Sequence, residues 1–300
     1  MGLINRWARL GSVAPRTATA LARSAAGKWL AGVDLGAAPP AFARQTFRAW
    51  FERRRRPSSG GVRVLLWPDT FNNHFQPQTL IAATELLESA GFRVDIPKRP
   101  LCCGRPLYDW GFLDRAKGYL RRILTVLGEE IEAGTPIIGL EPACTSTFKD
   151  ELLNLFPNDE RARTLSGQFV YFADFVAARL DRFPVPRRGG AALVQAHCHH
   201  HAIIGFDQEQ ALFEHLGLEV ERPPQGCCGM AGAFGMARET APIARAIGER
   251  VLLPRVRALP AETIIIADGF SCREQISIHT NRPPAHISEL LHARMTRENA

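Results

Sequence analysis

Pro136-Ile137-Ile138-Gly139-Leu140-Glu141-Pro142-Ala143-Cys144 reads as a short apolar strand that runs straight into a cysteine-bearing turn. The same order returns at Thr263-Ile264-Ile265-Ile266-Ala267-Asp268-Gly269-Phe270-Ser271-Cys272, and from Cys144 to Cys272 is 128 positions (272 − 144). Other landmarks share that spacing to within three residues: Cys102 to Cys227 is 125 (227 − 102), and Thr70 to Cys198 is 128 (198 − 70). One offset across three landmarks marks an internal duplication.

The elements around these anchors repeat as well. In the first copy the pattern predicts strands over Val62–Trp67, Phe92–Ile96 and Pro136–Leu140, with helices over Pro77–Ala90 and Asp114–Ala133. The second predicts strands over Ala191–Gln195, Leu218–Arg222 and Thr263–Ala267, with helices over Gln208–Leu216 and Thr240–Ala258. Strand–helix alternation at this spacing implies an α/β fold: two tandem strand–helix units with parallel sheets, residues 62–188 and 189–300. Ahead of them lies a segment over 1–61 containing a helix candidate, Phe42–Arg54, and closing in a Pro/Ser/Gly linker, Arg55–Gly61.

Three hundred residues with 46% hydrophobic and 22% charged side chains suit a globular chain. The apolar runs are too short to span a bilayer. Net charge is +7, concentrated before residue 65, where Arg53-Arg54-Arg55-Arg56 form a block and no acidic residue precedes Asp34. Without aromatic–basic interleaving or a nucleic-acid motif, the block reads as a solvated linker or a docking patch for an acidic partner or membrane face; no nucleic acid is expected. The first sixty residues are expected to be helical and peripheral and, lacking an apolar core, not a secretion signal. No GxGxxG follows a strand and no P-loop occurs, so no nucleotide or flavin site is expected on the chain itself.

The chemistry is in the seven cysteines. An odd count, two adjacent pairs and no secretory signal argue for reduced thiols, which places the chain in the cytoplasm, with the inner face of the membrane as an associated site. Each cysteine falls at the carboxyl end of a strand or in the turn after one, where parallel sheets build sites. The second copy thereby gathers Cys198, Cys227, Cys228 and Cys272, a set of soft donors suited to an iron–sulfur cluster or zinc. The first offers Cys102, Cys103 and Cys144, with Thr70 in the remaining place. Gly104 and Gly229 follow the pairs, where positive φ would let two successive thiolates reach one centre. His197, His199, His200 and His201 surround Cys198 and are candidates to ligate or tune a cluster; His74 holds a comparable place in the first copy. Arg105 and Arg273 follow cysteines and could offset negative charge there or bind a carboxylate.

Four motifs, Leu101-Cys102-Cys103-Gly104-Arg105-Pro106, Glu141-Pro142-Ala143-Cys144, Gly226-Cys227-Cys228-Gly229 and Gly269-Phe270-Ser271-Cys272, resemble the CCG cysteine-rich domain. That domain occurs in the cysteine-rich subunit of heterodisulfide reductase, in the glycolate oxidase iron–sulfur subunit and in an iron–sulfur subunit of the anaerobic glycerol-3-phosphate dehydrogenase. The likeness covers residues 62–295 and extends to fused proteins joining an FAD-linked oxidase, a ferredoxin module and two CCG domains. It implies a [4Fe–4S] cluster on the second unit, an incomplete or altered one on the first, and FAD only on a partner. It also implies a flavoprotein dehydrogenase and a ferredoxin-type module as partners, and electron transfer from the oxidation of a 2-hydroxy acid such as lactate or glycolate. A disulfide-reducing catalytic component and a zinc-stabilised binding module are the alternatives. Two departures matter: Trp67-Pro68-Asp69-Thr70 stands where a Gly-Cys pair is expected, and each copy ends in a single cysteine.

Overall fold

The structure, a computed structural model, describes residues 2–54, 60–223 and 227–296. Arg55 to Ser59 of the expected linker, and Gly226 of the second Cys-Cys-Gly motif, lie outside the described residues. The fold is α/β with two parallel sheets. The first contains β1 (Val62–Trp67), β2 (Phe92–Asp95), β3 (Ile137–Gly139) and β4 (Phe169–Tyr171) in the order β2-β1-β3-β4. The second contains β5 (Gly190–Val194), β6 (Leu218–Glu221) and β7 (Ile264–Ile266) in the order β6-β5-β7. Registers repeat with the sequence: Leu65 pairs with Ile137, and Leu193 with Ile265, each displaced by 128 (193 − 65 and 265 − 137).

The duplication extends to the sheet edges. Beside β3 runs β4, pairing Ile138 with Val170. Beside β7 a parallel bridge pairs Ile266 with Ala285, so Ala285 occupies the place of Val170. A helix follows each: Phe172–Ala177 in the first half and Ile287–Thr296 in the second.

Period-2 alternation sorts side chains between layers. Val64 and Leu66 of β1, Ile138 of β3, Ala192 and Val194 of β5 and Ile266 of β7 all enter one buried cluster between the sheets. Their neighbours turn outward: Leu65, Trp67 and Ile137 into a cluster of the first half alone, Leu193 and Ile265 into one of the second. Helix packing across the middle is reciprocal. Ile287–Thr296 lies on the first half's Pro77–Ser89, while Phe172–Ala177 lies on the second half's Asp207–His215. Such exchange of equivalent contacts is that of a twofold dimer.

The long helices expected over 114–133 and 240–258 are each broken in two. Leu113–Val126 is followed by Gly128–Glu132, and Ala241–Gly248 by Leu252–Ala258. Gly128 and Gly248, weak helix residues, stand at the breaks. The amino-terminal segment is helical (Ile4–Gly11, Pro15–Arg23, Ala25–Leu30, Phe47–Arg53), and its first three helices lie on the surface, Pro15–Arg23 and Ala25–Leu30 without a buried residue, yet it contacts both halves. Ser12 Oγ hydrogen-bonds His74 Nδ1 at 2.7 Å, and Arg9 donates to the carbonyl of Pro100 at 3.1 Å. Farther along, Val33 bridges to Ala237 and Arg238 donates to the carbonyl of Trp29 at 3.1 Å. The segment is therefore a strap joining the first half to the second.

Candidate metal centre

The loops at the carboxyl ends of the strands converge on one cavity of about 280 Å³, and all seven cysteines line it. None is in a disulfide. The sequence suggests one site per unit; the structure turns the two thiol sets toward each other in a common chamber.

In the second half the sulfurs form a chain of contacts: Cys198 with Cys227, Cys227 with Cys228, and Cys228 with Cys272. In the first, Cys103 Sγ lies 3.2 Å from Cys144 Sγ, and Cys102 touches both Cys103 and the Thr70 hydroxyl. Thr70 thus occupies the fourth ligand's place in space as well as in sequence.

Local structure explains the geometry. Gly104 has φ +84° and Gly229 φ +89°, the left-handed turn expected after each pair. Each turn aims its amide back at the thiols: Gly229 N–H donates to Cys227 Sγ at 3.4 Å, and Gly104 N–H to Cys102. Cys144 and Cys272 were expected at strand ends. Each is instead the third residue of a helix, Pro142–Lys149 and Phe270–His279. The helix dipole there favours thiolate.

The thiols cannot all ionise unaided. Contact with Cys227 and burial hold Cys198 above the ordinary range, and contact with Cys227 and Cys272 does the same for Cys228; Cys227, accepting from both neighbours, is lowered. Cys144 is pulled down by Cys103, but burial with Asp69 and Glu141 prevails and lifts it to about 11. A cationic metal core removes such repulsion. Four sulfurs strung along a pocket, Cys272 in the first turn of a helix and Cys227 and Cys228 beside a left-handed turn, fit a multi-iron core held at several corners. Among the described residues, no group of three or more His, Cys, Asp or Glu converges on a single ion.

The walls differ between halves. At the offset of 128, Asp69 corresponds to His197 and Glu141 to Gly269. Both carboxylates are buried and line the cavity. Asp69 caps the helix Thr70–His74, accepting from Phe71 and Asn72 amides at 3.0 Å. Glu141 Oε2 accepts from Phe270 N at 2.9 Å across the halves, and burial, then Asp69, raises it to about 7. On the other side His197 accepts from the His199 amide through Nδ1 at 3.2 Å, which leaves the proton on Nε2. Burial, then the neighbouring His199 and His200, lowers it to about 3, so it is a neutral donor. Gly269 has no side chain because its Cβ would lie 2.3 Å from the His197 ring.

The remaining candidates divide. His199 and Arg105 line the cavity, Arg105 pairing with Asp109 and Glu151. His200 turns away to Tyr171 and Glu209, His201 is exposed, and His74 faces the strap. Arg273 does not reach the cavity either. It is buried, donating to Asn72 and Gln76 of the first half at 2.8 Å each, and so ties the halves together. Asp69 was missed, although Asp-Thr-Phe-Asn-Asn is a helix-capping sequence. Apolar side chains complete the chamber, among them Phe71, Phe75, Phe270 and Met230.

Fold and site together define a duplicated cysteine-rich α/β protein whose halves present opposed thiol sets to one chamber. The chain belongs to the CCG cysteine-rich domain family, whose profile matches residues 69–149 and 206–277. It is 26% identical over 241 residues to D-2-hydroxyglutarate dehydrogenase of Pseudomonas putida, covering 80% of this chain but 23% of that protein. Lactate utilization protein A of Bacillus velezensis is 29% identical over 254 residues, 78% of this chain and 100% of the relative. A component of the anaerobic glycerol-3-phosphate dehydrogenase of Escherichia coli, its third subunit by letter, is 24% identical over 259 residues, 84% of this chain and 64% of the relative.

Proposed function

We propose that the chain is the iron–sulfur electron-transfer component of an oxidoreductase acting on a 2-hydroxy acid such as lactate or glycolate. Electrons would come from a flavoprotein dehydrogenase, FAD residing on that partner, through a ferredoxin-type module, in the cytoplasm. The names of two relatives, a lactate utilization protein and a D-2-hydroxyglutarate dehydrogenase, support the substrate class. The carrying observation is the chain of four thiols in the second half, each in contact with the next.

Cys198, Cys227, Cys228 and Cys272 would hold a [4Fe–4S] cluster, which supplies one-electron transfer when bound. The chain's own groups do the rest. Amides of the Gly229 turn and the amino terminus of Phe270–His279 offset thiolate charge, His197 Nε2–H is the neutral donor beside Cys227, and apolar side chains pack around the two buried thiols, Cys228 and Cys272, while Cys198 and Cys227 face solvent. The first half opposes a second full cluster on two counts. Its fourth donor is a neutral hydroxyl, and two buried carboxylates add negative charge beside Cys144. An incomplete or altered cluster is the reading there.

Iron and sulfide per chain in anaerobically purified Cys228→Ser and Cys103→Ser variants test the ranking. Cys228→Ser should lose most of the stable iron and Cys103→Ser less; equal losses, or a larger loss at Cys103, would reverse it.

A further inference from the structure

The strap has an outer surface that the proposed electron transfer does not use. Its inner contacts are few: Asn5 and Ala8 are the buried residues of Ile4–Gly11, and neither Pro15–Arg23 nor Ala25–Leu30 has one. Large apolar side chains point outward instead. Trp7 is 62% exposed, Trp29 64% and Leu30 77%, with Leu10, Val13 and Leu21 between them. Interleaved with them are Arg6, Arg9, Arg16, Arg23 and Lys28, and no acidic residue occurs before Asp34.

We propose that this strap docks the protein on an anionic lipid surface. Basic side chains alternating with outward Trp and Leu on short helices are the composition of a segment lying in the headgroup plane, where cations snorkel to phosphates. The apolar groups spread over three helices rather than forming one anchor beside a pocket, which suits a plane better than a partner protein's relief. The surface also continues beyond the strap. Gly2 packs toward Leu107 and Phe112, next to the exposed Trp110, Phe112 and Leu113, and at the other end Arg238 ties Trp29 to the segment carrying exposed Phe234. The cysteine chamber lies directly beneath, with Ile4, Pro40 and Trp110 in its wall. Docking would therefore set the chamber against the membrane, which refines the proposed role without requiring a bound cluster.

Sedimentation of the full chain with vesicles of phosphatidylcholine alone, or mixed equally with phosphatidylglycerol, tests this. Binding is expected to the mixed vesicles at low ionic strength, with weakening as salt rises. Trp7→Gln/Trp29→Gln should bind about tenfold more weakly, and Arg6→Gln and Arg16→Gln each roughly fivefold. Circular dichroism of each variant should match the parent, because these side chains face solvent. Failure to bind the mixed vesicles, equal binding to both kinds, or parent-level binding by the double Trp variant would overturn the proposal. So would an acidic protein that covers the strap while vesicles fail to compete. Iron content is read separately, so loss of vesicle binding with intact iron leaves the electron-transfer reading standing.

Discussion

Gly104 and Gly229 occupy equivalent turns, yet adding a methyl group to each should have unequal effects. Both are left-handed, so Gly→Ala costs about 1–2 kcal/mol at either from backbone conformation alone. The surroundings then separate them. A Cβ at Gly104 would meet Tyr119 Cβ at 3.4 Å and Ala116 O at 3.5 Å, ordinary contacts. A Cβ at Gly229 would lie 2.0 Å from Ala244 O and 2.9 Å from its carbonyl carbon, where a helix backbone would have to move. Such overpacking adds about 1–3 kcal/mol, giving roughly 2–5 kcal/mol in total. The displaced turn also carries Cys227 and Cys228. Denaturant unfolding of the iron-free chains should therefore show Gly229→Ala well below Gly104→Ala, and iron analysis should show the larger loss at Gly229. Equal destabilisation, or a greater effect at Gly104, would refute the claim that the second turn is the more tightly built.

Two further outcomes are expected. Glu141 is raised to about 7 by burial and Asp69, so the folded chain binds a proton more tightly than the unfolded one. This stabilisation, about 3 kcal/mol, is present below about pH 4.5 and lost as pH rises toward 7. Glu141→Gln retains an acceptor for Phe270 N–H and should flatten that fall in apo-protein unfolding curves; an unchanged slope would assign it to other groups. Thr70→Cys restores a fourth thiol beside Cys102 and should raise iron and sulfide per chain above the parent; no increase would show that Asp69 and Glu141, rather than the missing ligand, limit the first half.

Six of the strands were legible because β-branched and leucine runs such as Val62–Trp67 and Thr263–Ala267 end at turns and repeat at a fixed offset. β4 was not: Phe169–Tyr171 is three residues long, too short for alternation to show, and its helical flanks carry mixed composition. The helices holding Cys144 and Cys272 were hidden for a related reason. Pro142 looks like a terminator after a strand, yet it is also a favoured first residue of a helix. The cysteines were readable by type and spacing. Their meeting in one chamber depends on how the sheets stack, and so do the wall roles of Asp69 and Glu141. His74 and Arg273 were placed at the site by sequence proximity to it; their side chains leave on the opposite side of their helices, toward the strap and toward Asn72 and Gln76.

The reciprocal packing of Ile287–Thr296 on Pro77–Ser89 and of Phe172–Ala177 on Asp207–His215 makes this chain its own dimer. In two separate subunits a chamber at the twofold would assemble by mass action and come apart on dilution. Covalent tandem duplication makes the association intramolecular, so the chamber survives at any protein concentration. It also frees the copies to diverge: a true homodimer would have to change both walls at once, whereas this chain holds Asp69 and Glu141 on one side and His197 and Gly269 on the other.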